Sequence, residues 1–180
     1  MTDERATPDV EGTTVEARLS ADALHAETPK ADPQPPAVPA VPDGDWQHLW
    51  FSLQRTDWSA LAVLPADSGL DVRDIAEAIV NIGRTSGADD VMLLNGQGAS
   101  FTDAQELVDT IESYKRRRSH VVVACDSVDD NPATLALVRA ASGALMVVRL
   151  GQSRLASARK TIDAVGREHV FASITLRPRT

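Results

Sequence analysis

From Trp46 onward the apolar positions alternate between two patterns, short unbroken runs and longer stretches in which they recur every third or fourth residue. The unbroken runs are Ala60–Leu64, Val91–Leu94, Val121–Ala124, Ala144–Val148 and Val170–Ile174, the last interrupted only by Ser173. Runs of this length predict strands buried on both faces, because an amphipathic strand would alternate instead. Between them lie helical patterns. Ile75, Ala78, Ile79 and Ile82 share one face of a helix over Asp71 or Val72 to Arg84. Ala104, Leu107, Val108 and Ile111 do so in a second helix, for which Thr102 and Gln105 are expected to form the capping box. Asn131 followed by Pro132 predicts a third start, with Leu135 and Val138 facing inward. Ser153 is expected to cap a fourth helix carrying Leu155, Ala158, Ile162 and Val165, which Gly166 ends. Strands alternating with amphipathic helices specify an α/β fold, a mostly parallel sheet of at least five strands with helices on both faces.

One further helix precedes the first strand. Asp45 is its expected N-cap, and Trp46, Leu49, Trp50 and Leu53 recur at i, i+3, i+4 and i+7. Phe51 lies off that stripe. Three large aromatics within six residues exceed what one short helix needs for packing, so Trp46, Trp50 and Phe51 stand equally as core and as a partner-binding surface.

Composition separates the rest. Seven of the ten prolines precede residue 43, and Met1–Asp45 holds ten acidic side chains against three basic ones, seven of the eight net negative charges. Residues 1–43 are expected to be a disordered, acidic, proline-rich tail, with only a weak helical pattern over Val15–His25. The domain expected over 44–180 is therefore nearly neutral. It lacks the basic stripe that a nucleic-acid partner requires. A single cysteine, Cys125, excludes an internal disulfide and a zinc site with several thiolates. The four histidines form no i, i+4 pair, so no metal site is expected. No apolar run is long enough to cross a bilayer and no signal-peptide pattern opens the chain, which predicts a cytoplasmic protein.

The chemistry is read most directly after the first strand. A phosphate-binding loop in that position needs several glycines, a lysine for the β- and γ-oxygens and a Ser/Thr for magnesium. This chain has Pro65-Ala66-Asp67-Ser68-Gly69-Leu70-Asp71, with one glycine, no lysine and two carboxylates. Carboxylates repel a triphosphate. The loop at Asp67, Ser68, Gly69 and Asp71 is thus expected to be a degenerate nucleotide site that binds no cofactor.

In this order the segments resemble the MinD/ParA-like branch of the P-loop NTPases, and within it the cytoplasmic domain of bacterial tyrosine kinases of exopolysaccharide biosynthesis. The resemblance covers roughly residues 44–178 and is clearest at Ala140-Ala141-Ser142-Gly143-Ala144-Leu145-Met146-Val147-Val148-Arg149-Leu150-Gly151, with the following helix and Val170–Ile174. It implies a P-loop NTPase-like fold. It also implies that the Trp46–Leu53 helix makes subunit contacts. The departures fall on the chemistry: Asn95-Gly96-Gln97 stands where the family has an aspartate pair, Ala124-Cys125-Asp126-Ser127 stands where it has Asp-Thr-Pro-Pro, with Asp126 the one candidate Walker B remnant, and the C-terminal tyrosine cluster is absent. The resemblance then implies a catalytically inactive regulatory or scaffolding subunit, without metal or cofactor. Its partner would be a membrane polysaccharide co-polymerase or a related biosynthesis protein, with a homo-oligomer as a further candidate and membrane association only through a partner. Two alternatives stand beside it: a divergent ATPase that binds nucleotide and switches oligomeric state, and an unrelated flavodoxin-like or Rossmann-like binding module.

Three weaker signals have plain structural readings. Asn95-Gly96-Gln97-Gly98 is a turn sooner than a dinucleotide loop, since that fingerprint belongs after a first strand. Cys125 at a strand end is a buried cysteine sooner than a nucleophile. Lys115-Arg116-Arg117-Arg118 suits a solvated helix C-terminus at least as well as an anionic lipid or an acidic partner segment.

Overall fold

The computed structural model describes residues 43–88 and 90–177, and the expected tail, including Val15–His25, lies outside them except for Asp43, which begins the first helix. Five strands form one all-parallel sheet: β1 (Ala60–Pro65), β2 (Val91–Asn95), β3 (His120–Ala124), β4 (Gly143–Arg149) and β5 (Val170–Leu176), in the order β2-β3-β1-β4-β5. The helices are α1 (Asp43–Gln54), α2 (Arg73–Thr85), α3 (Phe101–Arg117), α4 (Thr134–Ala140) and α5 (Leu155–Val165), with a 3₁₀ turn at Arg167–His169. The order differs from both the Rossmann order 3-2-1-4-5-6 and the flavodoxin order 2-1-3-4-5.

The unbroken apolar runs are explained by burial on both sides. Along β1, Leu61 and Val63 join the cluster built with α1 and α2, while Ala60, Ala62 and Leu64 join the cluster built with α3 and α4. The connection from β1 runs toward one edge of the sheet and the later ones toward the other, so right-handed crossovers place α2 opposite α3, α4 and α5. Trp46, Trp50 and Leu53 carry α1 onto the α2 side, where they pack with Trp58, Ile79 and Val91.

Several helix starts differ from the sequence reading, each for a local reason. Asp45 lies inside α1, which begins at Asp43, and is not its cap. The capping box of α3 is Ser100 with Asp103, two residues earlier than Thr102 with Gln105: Ser100 Oγ accepts the Asp103 N–H at 3.2 Å and the Asp103 carboxylate accepts the Ser100 N–H at 3.0 Å. Asn131 accepts the Ala133 N–H at 3.0 Å, but i→i+3 bonds occupy the first turn and regular α4 starts only at Thr134. Ser153 turns back to accept the Arg149 N–H at 2.9 Å, so it does not cap α5. Gly166 does end α5, with φ +96°.

Candidate functional site

β1 and β4 are neighbours whose outgoing connections diverge, so the crevice beyond their C-terminal ends is where an open α/β sheet places ligands. The loop Pro65–Asp71 lies there. Its first residue is still part of the sheet, since the Ala66 N–H donates to Val147 O at 2.8 Å and the Ala66 carbonyl accepts from Thr161 Oγ1 of α5 at 3.3 Å. Gly69 adopts φ +75°, which turns the chain toward α2.

The carboxylates around this crevice are turned on the protein's own donors. Asp67 accepts the Arg154 N–H at 3.1 Å, taking over the α5 terminus that Ser153 leaves uncapped. Desolvation raises the Asp67 carboxyl, but the Ser157 and Ser153 hydroxyls, the Arg154 N–H and the Arg154 charge outweigh it and hold the group below the usual carboxylate range. Asp130, from the loop after β3, accepts the Gly69 N–H at 3.4 Å. The Ser68 hydroxyl and then the Ser127 hydroxyl lower its pKa, with Gly69 N–H adding to them against some desolvation. Asp71 accepts the Arg73 N–H at 2.8 Å and the Gln97 amide at 3.0 Å. Asp126 accepts the Gly98 N–H at 2.7 Å and the Asn131 amide at 3.0 Å. Asn131 also donates to Ala99 O at 3.0 Å, so the loops after β2 and β3 are tied together.

Asp67, Ser68, Gly69, Asp71 and Asp126, the residues singled out by the sequence, thus gather at one end of the sheet. Among the described residues none of their acceptors meets a lysine. The nearby Lys160 pairs with Asp129 at 2.6 Å, an exposed ion pair, and Arg73 pairs with Glu77 at 3.0 Å along α2. Asp130, Asn131, Ser127 and Ser157 complete the network and were missed as site residues, because the contacts of Asp130 with Gly69, Asn131 with Ala99 and Ser157 with Asp67 span long stretches of sequence. The only signal was the density of turn-forming residues from Asp126 to Asn131.

The Asn95–Gly98 segment is a turn. Asn95 Oδ1 accepts the Gln97 N–H at 3.2 Å, and a β-carbon on Gly96 would lie 2.5 Å from Leu137 Cδ1 and 3.2 Å from Ala124 O, so packing of the loop on α4 accounts for that glycine. The α3 terminus that follows is closed by Asp103. The Ser100 hydroxyl and then its N–H lower the pKa of that carboxyl, leaving negative charge where an anion would bind. Cys125 is fully buried and its thiol is pushed up to about 12, first by burial and then by the Asp126 charge, so no thiolate forms at neutral pH.

Outside the crevice, the aromatic trio of α1 divides. Trp46 and Trp50 are core residues, whereas Phe51 is 60% exposed. Within the basic run, Lys115 is engaged by Glu112 at 2.8 Å and by the Ala140 carbonyl at 3.0 Å, which fastens α3 to the end of α4 and leaves Arg116, Arg117 and Arg118 exposed. Among the described residues no helix is long and apolar enough to cross a membrane. Compared with known proteins, the chain matches no family model and no curated sequence.

Proposed function

We propose that this domain is a nucleotide-free relative of the P-loop ATPases that works as a regulatory or scaffolding subunit of a membrane-associated exopolysaccharide biosynthesis and export apparatus. The observation that carries the loss of nucleotide chemistry is the state of the loop donors. The Gly69 N–H of this loop and the Arg154 N–H at the adjoining start of α5 are hydrogen-bonded to the carboxylates of Asp130 and Asp67. An incoming triphosphate would have to displace anions that the protein holds ionised, without a lysine to offset the repulsion.

The exopolysaccharide context is supported by the resemblance of Ala140–Gly151 and the elements after it, and the scaffolding role by the exposed Phe51 on α1. Phe51 is the residue of that helix free to anchor a partner, because both tryptophans are spent on the core. Titration calorimetry with Mg-ATP tests the first part, and no heat at micromolar affinity is expected. Copurification with a tagged polysaccharide co-polymerase, lost on Phe51→Ala, tests the second. Micromolar Mg-ATP binding would overturn the inactive reading, and retention of the Phe51→Ala variant would remove the proposed contact.

A further inference from the structure

We draw no further inference here: the strongest candidate, the cavity of about 580 Å³ at the N-terminal ends of β1 and β3 lined by Trp50, Arg55, Asp57, Trp58 and His120, carries nothing, because its tryptophans are only 3% and 5% exposed and nothing in the structure shows what fills it.

Discussion

Trp50→Ala is expected to destabilise the domain by about 3 kcal/mol, whereas Phe51→Ala, one position along, should leave stability within about 0.5 kcal/mol of the parent. Trp50 is 3% exposed, and its ring lies so close to α2 that a β-carbon on Gly83 would come 2.7 Å from Trp50 Cη2. It also meets Trp58 edge-on, with ring centroids 6.0 Å apart. Truncating a buried tryptophan costs about 3–5 kcal/mol, the upper part of that range reflecting a cavity that cannot collapse. One term works the other way. The Trp50 indole N–H is buried without a hydrogen-bond partner among the described residues, so its removal recovers roughly 1 kcal/mol of desolvation. The net of about 3 kcal/mol corresponds to a fall of about 10 °C in melting temperature for a domain of this size. Trp50→Phe, which keeps a ring but drops the N–H, should cost less than half as much. Urea denaturation of the three variants measures all of this. A loss below about 1 kcal/mol for Trp50→Ala, or above about 1.5 kcal/mol for Phe51→Ala, would refute the assignment of the two side chains to core and surface.

Gly83→Ala should destabilise by about 1–2 kcal/mol in the same assay, because the overpacking against Trp50 and Val91 exceeds the roughly 1 kcal/mol gained in helix propensity. Gly96→Ala is expected to cost about 1–3 kcal/mol by pushing on Leu137, and a neutral result would show that the Asn95–Gly98 turn is not packed on α4. Asp67 and Asp130 have folded-state pKa values below their unfolded ones, so their contribution is complete above about pH 4 and disappears as pH falls through the lowered values. The urea midpoint of Asp130→Asn should accordingly depend less steeply on pH below 4 than that of the parent. Cys125 should react with a thiol reagent at pH 8 only as the domain opens, and immediate titration of the native protein would contradict its burial.

Element type and order were legible in the chain because burial on both faces leaves a signature in each short run: Ala60–Leu64 has no polar position to spare, and it became the central strand. The absence of a lysine from Pro65–Asp71 was equally plain, being a matter of residue identity. What lay beyond the sequence was where each polar group would be spent. Thr102 and Ser100 are both acceptable caps by residue type, and the direction of the chain leaving Gly98 decided between them. Ser153 lost its expected role because Asp67, 87 positions from Arg154, reached the α5 terminus. The same holds for Asp130 on Gly69 and Asp126 on Gly98, contacts made between loops that the strand order β2-β3-β1-β4-β5 brings to one end of the sheet. Apolar periodicity is local and survives in one dimension, since every turn of a helix repeats the same choice of face. A hydrogen bond between loops is a single event at long range, and only the folded topology selects the partner.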